Sequence, residues 1–248
     1  MPDRFVLRAV PAPLPHIRPA GLARGVEITI VDDGQGVGLA LATVLEGQGI
    51  ETRLVSKGTS VSPETGGVIY LRALRDFASI EEATELTKDA FDAARIVAPR
   101  LSKQGGFFAT VQDTGGRFAI DEWCEPTKAV LGAMAGLAKT AAQEWPNATV
   151  RSIDIDAGHR NSGAIAQELA EEFLAGGDEV EIGRPEGERI RIDLVEGELA
   201  PLPLPPLGEG DLVVVSGGAR GVTAACIIEL ARRTKCRFGL LGRSPLPE

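Results

Sequence analysis

Two stretches of this 248-residue sequence follow one local plan, and that plan limits the fold more than any other feature. At Val26–Asp32 (VEITIVD) and again at Asp211–Val215 (DLVVV), a β-branched apolar run ends at a cluster of glycines. A helical pattern begins at once after each cluster. Between the two lies a regular alternation. Strands are predicted at Glu51–Ser56, Gly67–Leu71, Gly106–Val111 and Thr149–Ile155, with further extended segments at Glu179–Gly183 and Arg189–Val195. Helices are predicted at Val37–Gln48, Ser79–Val97, Thr127–Glu144 and Asn161–Ala175. Ser79 followed by Glu82 reads as a capping box, and Gly49 as a helix stop. Strands joined by helices of this length predict crossover units, hence an α/β fold with a doubly wound parallel sheet.

The ends of this pattern are also legible. Arg4–Val10 reads as extended, and Pro11, Pro13 and Pro15 then exclude a helix. Ala200–Gly210 (APLPLPPLGEG), with Pro201, Pro203, Pro205 and Pro206, reads as a stiff connector. The expected organisation is an N-terminal extended segment at 1–25, a Rossmann-like unit at 26–199, a Pro-rich linker at 200–210 and a second Rossmann opening at 211–248.

The two glycine clusters differ in chemistry. In the second, Ser216-Gly217-Gly218-Ala219-Arg220-Gly221-Val222 runs straight into a helix reaching about Arg233. Gly217 suits a tight turn, and Gly221 lets backbone N–H groups approach a pyrophosphate at the helix N-terminus, where the dipole favours anions. Thr223, Cys226, Ile227, Leu230 and Thr234 are predicted to face the sheet. A further strand, Arg237–Leu241, ends in Gly242-Arg243-Ser244. An acid at such a strand end would bind a ribose 2′-hydroxyl, whereas Arg243 suits the 2′-phosphate of NADP. In the first cluster, Gly34, Gly36 and Gly38 permit the turn, but Asp32 and Asp33 put carboxylates where a pyrophosphate would lie. A structural turn without nucleotide is expected there.

Composition closes off several alternatives. The formal charge of −9 and the lack of a basic stripe argue against nucleic acid as a partner. No apolar run approaches the length of a membrane span, and the N-terminus lacks the plan of a secretory signal. The 3 cysteines, Cys124, Cys226 and Cys236, have no metal-type spacing, so a reducing cytoplasm is the expected setting. His16 and His159 are the only histidines, which leaves little material for a histidine-based active site.

The motifs VVVSGGARGVTA (213–224) and FGLLGRS (238–244), with IVDDGQGVGLALA (30–42) and GLAKTAAQEWP (136–146), resemble the ketoreductase regions of type I polyketide synthases and polyunsaturated fatty acid synthases. These regions belong to the short-chain dehydrogenase/reductase family. The resemblance implies two tandem Rossmann-like halves, a non-catalytic structural half followed by a catalytic half that binds NADPH. It also implies reduction of 3-oxoacyl groups held on an acyl carrier protein, by a Ser, a Tyr and a Lys or Asn. The single tyrosine, Tyr70, is followed by Leu71-Arg72-Ala73-Leu74, lacks the accompanying lysine, and reads as core. Aligning GLAKTAAQE with the family's tyrosine helix puts Thr127 at the Tyr position, Leu131 at the Lys position, and Gln112–Thr114 near the Ser.

No catalytic residues and no metal site are therefore expected. The expected cofactor contacts are Ser216, Gly217, Gly218, Ala219, Arg220, Gly221, Val222, Gly242, Arg243 and Ser244. The sequence reads as the structural half plus the first βαβ of the catalytic half, inactive alone. Its expected partners are the rest of that half, neighbouring synthase domains and a carrier protein. The alternatives are a purely scaffolding module, or a stand-alone NADP-dependent oxidoreductase.

Overall fold

The computed structural model describes residues 4–23, 25–120, 124–197, 207–218 and 220–242, which fall into two compact units, Met1–Glu196 and Gly197–Glu248. The first unit contains β1 (Phe5–Pro11), β2 (Ile28–Val31), α1 (Val37–Gly47), β3 (Thr52–Val55), β4 (Gly67–Ala73), α2 (Ile80–Gln104) and β5 (Gly106–Gln112). It continues with α3 (Pro126–Ala129), α4 (Ala133–Glu144), β6 (Ala148–Ile155), α5 (Ser162–Ala175), β7 (Glu181–Arg184) and β8 (Ile190–Glu196). The second contains β9 (Leu212–Ser216), α6 (Gly221–Thr234) and β10 (Arg237–Leu241).

In the first unit the strands form one sheet in the order β1-β8-β7-β6-β5-β4-β2-β3. From β3 to β7 all neighbours are parallel, as the crossover pattern requires. The remaining strands correct the expectation of an all-parallel sheet: β8 is antiparallel to β7, and β1 is antiparallel to β8. The connection Pro185–Arg189 is too short for a crossover and can only turn the chain back on itself. The fold is thus Rossmann-like α/β with a mixed edge.

Helices cover both faces of this sheet. Along β5, successive side chains point to opposite faces. Phe107 meets Phe173 of α5 edge-on at 5.5 Å, while Phe108 meets Trp145 at the end of α4 at 5.4 Å. Around Phe107 pack Leu41 and Leu45 of α1, Leu169 of α5, and Ile28, Ile30 and Ile153 of the sheet. Around Phe108 pack Leu86, Ala90 and Val97 of α2, Met134 and Ala138 of α4, and Val68 and Tyr70. Each large apolar side chain buried in this way stabilises the fold by roughly 1.5–3 kcal/mol.

Helix ends follow their sequence signals with small shifts. Ser79 Oγ accepts from the Glu82 N–H at 3.2 Å, but the Glu82 carboxylate accepts from Ala78 rather than from the cap residue itself. The helix continues past Val97 to Gln104 because Pro99 lies on its exposed side while Val97 and Leu101 stay buried. The segment expected as one helix from Thr127 is divided by a 3-10 turn at Val130–Gly132.

A buried ionic knot ties the mixed edge to the helical layer. Arg151 of β6 and Glu172 of α5 are both fully buried and paired with each other. Arg151 also donates to the carbonyls of Glu172 (2.9 Å) and Gly177 (3.1 Å), closing the end of α5. Arg189, immediately before β8, reaches the same carboxylate at 2.8 and 2.9 Å and also donates to the Ala12 carbonyl. Burial pushes the Glu172 carboxyl up, but the Arg189 bond and the Arg151 charge outweigh it and hold the group below its ordinary range.

The second unit is a parallel β9–β10 pair with α6 on one side. The helix does not present the predicted stripe: Thr223 and Cys226 are exposed, and Ala224, Ile227, Leu230, Ala231 and Thr234 are the half-buried residues. Ala224 and Ala231 add no bulk between helix and strands, so the helix settles with its small side chains inward. Glu229, Arg232 and Arg233 face outward as expected, with Arg233 bonded to Glu229 at 2.7 Å. On the opposite sheet face Leu212, Val214 and Leu241 are 62–63% exposed.

Replacing Glu172 by Gln leaves Arg151 buried without its counter-charge. Chemical denaturation should show a loss of about 3–5 kcal/mol, against little change for Glu85→Gln in the exposed Lys88 pair.

Candidate functional site

The turn after β9 is built from backbone. Gly217 has φ +73, a left-handed conformation open to glycine, and its N–H donates to the Leu241 carbonyl at 2.8 Å. That bond holds the turn against the end of β10, and Ser216, Gly217, Leu241 and Gly242 line an open cleft there. Gly218 is buried, and a Cβ on it would lie 2.6 Å from Ile227 Cδ1 and 2.8 Å from Leu240 Cδ2. It is therefore the glycine that lets α6 approach the strands, a role the sequence motif left unassigned.

Arg220 is the N-cap residue of α6 in extended conformation, and no side chain caps the helix. No acid lies in the first helical turn. Gly221 and Val222 open the helix and are exposed. Among the described residues, then, no side chain caps this helix and no acid stands in its first turn, the arrangement that suits a phosphate oxygen. Of the expected contacts, Ser216, Gly217, Gly218, Arg220, Gly221, Val222 and Gly242 surround this turn, and Ala219, Arg243 and Ser244 lie outside the described residues. Leu241, a lining residue of the cleft, was not among those expected.

The turn after β2 has the same path and a different occupant. Gly36, at φ +98, precedes α1. The Asp33 carboxylate folds back into the turn, accepting from the Gln35 N–H at 3.0 Å and the Gly38 N–H at 2.9 Å. Asp33 is 4% exposed. The protein's own carboxylate therefore satisfies the amides that a phosphate would otherwise take. A Cβ at position 38 would strike the Asp32 carboxylate. Burial, with Asp33 alongside, raises the Asp32 carboxyl above its ordinary range. The strand order places a crevice between β2 and β4, where the winding direction reverses. There Gln35 Nε2 donates to Asp76 Oδ2 at 2.8 Å. The donors at the head of α1 do not fit a dinucleotide, while those at the head of α6 do.

The positions aligned with a reductase active site hold other chemistry. Thr127 is followed by Lys128, whose Nζ lies 2.7 Å from Asp113 Oδ2. Leu131 and Gln112 are buried. Tyr70 is core, as expected: its hydroxyl donates to the Leu86 carbonyl at 2.7 Å, and burial drives its pKa upward.

Asp33→Ala should cost about 0.5–2 kcal/mol in chemical denaturation, the range for a lost helix cap. The test is specific: Asp76→Ala, which removes only the exposed bond to Gln35, should cost much less.

No protein-family model matches the chain. It is 27% identical over 258 residues to one component of the polyunsaturated fatty acid synthase of Thraustochytrium sp., a match spanning 88% of this chain and 9% of that protein. Among solved structures, the first ketoreductase of the tylosin polyketide synthase aligns with a TM-score of 0.59 at 16% identity, covering 96% of this chain and 50% of the other. An A1-type ketoreductase gives 0.55 at 17% identity, covering 97% and 52%. A structure of an adenylation, ketoreductase and pseudo-Asub multidomain NRPS module gives 0.61 at 16%, covering 97% and 23%. The chain spans about half the length of the individual ketoreductases it matches. The chain has a Rossmann-like fold similar to that of ketoreductases from polyketide synthases, and by sequence it is similar to part of a polyunsaturated fatty acid synthase.

Proposed function

We propose that this chain supplies two parts of a ketoreductase: a non-catalytic bracing half and the NADPH-binding opening of the catalytic half. The boundaries are those drawn from the sequence, with 26–199 as the brace, 200–210 as the linker and 211–248 as the opening. The observation that carries the reading is the contrast between two helix N-termini. The head of α1 is occupied by Asp33, while the head of α6 has neither a side-chain cap nor an acid in its first turn. Ser216–Val222 would hold the pyrophosphate, and Gly242, Arg243 and Ser244 the 2′-phosphate end. When bound, NADPH supplies the hydride that converts a 3-oxo group to a hydroxyl. The acid that protonates the carbonyl oxygen comes from the remainder of the catalytic half.

In this reading the partners are that remainder, neighbouring domains of a multidomain synthase and an acyl carrier protein presenting the 3-oxoacyl group, all in the cytoplasm. No helix among the described residues is long and apolar enough to cross a membrane. The self-filled turn of the first unit favours the scaffolding role for that half.

Calorimetry with NADPH is the direct test. Binding should be weaker than about 10 μM (~7 kcal/mol), should favour NADPH over NADH, and should lose that preference in Arg243→Glu. No NADPH oxidation is expected with trans-1-decalone. Turnover by this chain would overturn the non-catalytic assignment, and equal affinity for NADH would overturn the role of Arg243.

A further inference from the structure

An open sheet ends in two edge strands, and the outward amides and carbonyls of each are a template for another strand. In the first unit one edge is short, since β3 has only 4 residues. The other edge is β1, 7 residues long, with Arg8 as its single charge. Just past β1 the Ala12 N–H donates to the Arg189 carbonyl, so by register the even-numbered residues of β1 bond to β8. The N–H and C=O groups of Phe5, Leu7 and Ala9 therefore point away from the sheet.

The side chains of these three residues share one face. They stand beside Glu196, Leu194 and Ile192 of β8, and Phe5, Leu7 and Leu194 are 53%, 50% and 63% exposed. β7 pairs with β8 only at Ile190 and Arg191. From Ile192 to Glu196, then, β1 is the only strand paired with β8 among the described residues. A two-stranded ribbon of this kind is marginal in water and gains from a further strand.

We propose that the β1 edge pairs with β1 of a second copy of this chain, antiparallel about a two-fold axis at Leu7. The strand is complementary to its own reverse. In this register Leu7 meets Leu7 of the second copy, and Phe5 meets Ala9, a large side chain against a small one. Each of the three outward residues gives one hydrogen bond and receives one. Leu194 flanks Leu7 in both copies, so a row of leucines crosses the joined ribbons.

Charge selects the register. On the other face Arg8 stands opposite Val6 of the second copy and keeps Asp193 beside it on its own β8. Only shifts by two keep the outward groups facing each other. A shift one way sets Arg8 against Arg8 and Phe5 against Pro11, which has no N–H to give. A shift the other way sets Arg4 against Arg8. Like charges directly opposite are destabilising. A foreign strand would have to reproduce all these matches, whereas a second copy carries them by symmetry.

Light scattering on the full chain should give a dimer of the 26.1 kDa protomer that dissociates on dilution. Hydrogen exchange should show the Phe5, Leu7 and Ala9 amides protected in the dimer and unprotected in the monomer. Leu7→Lys sets two ammonium groups together at the axis and removes two leucines, so self-association should weaken roughly a hundredfold. Leu39→Lys, at an exposed leucine of α1, should leave it unchanged. A chain that stays monomeric at about 100 μM (~5.5 kcal/mol) overturns the proposal. So does a dimer whose three amides exchange freely, which would put the interface elsewhere, or protection that needs a different protein. If Leu7→Lys does not fold, exchange in the unaltered chain across the dilution series still decides.

Discussion

A parallel sheet is stable only when both of its faces are covered, because its strands are apolar on both sides. The first unit meets this demand through adjacent residues: Phe107 inserts among α1 and α5, and Phe108 among α2 and α4. The second unit meets it by half. Its single helix shields Val213, Val215 and Phe238 while Leu212, Val214 and Leu241 stand open on the other face. A two-stranded sheet has little independent stability without such packing. Among the described residues, the first sheet is thus covered on both faces and the second on one.

The two turns show how one backbone device is directed to different ends. Both place glycines after a strand and open a helix toward the carboxyl edge of a sheet. The helix N-terminus then presents amides to whatever anion is nearest. In the first turn the nearest anion is Asp33, two and five residues before the amides it accepts from. In the second there is no acid in reach on the helix, and Gly218 spends its missing side chain on bringing α6 close to Leu240. The backbone conformation is shared, and a single carboxylate decides whether the cradle is free.

Much of this was legible from the residues. Periodicity is a local property, so the strands from Ile28 to Ile155 and the cap at Ser79 could be read directly. The glycine turns and the core position of Tyr70 were equally plain. What escaped were partnerships between distant residues. That β1 and β8 run antiparallel depends on a pairing between Phe5 and Glu196 that no local pattern announces. The Arg151–Glu172 pair forms only once β6 and α5 are brought together. The facing of α6 missed Ala224 and Ala231 because alanine carries little signal in an amphipathic pattern, although close packing favours it. Asp32 and Asp33 were legible as obstacles to phosphate, but Asp33 as a ligand of its own turn required the fold-back of its side chain.

That fold-back has a consequence for how the first unit responds to its surroundings. A protein that recruits a soluble anion to the head of a helix has a stability tied to the concentration of that anion, since any ligand of the native state adds to it by mass action. Here the anion is covalently part of the chain, so its local concentration is constant and its affinity is set by a short loop. The head of α1 is thereby closed by a group that cannot dissociate from the chain.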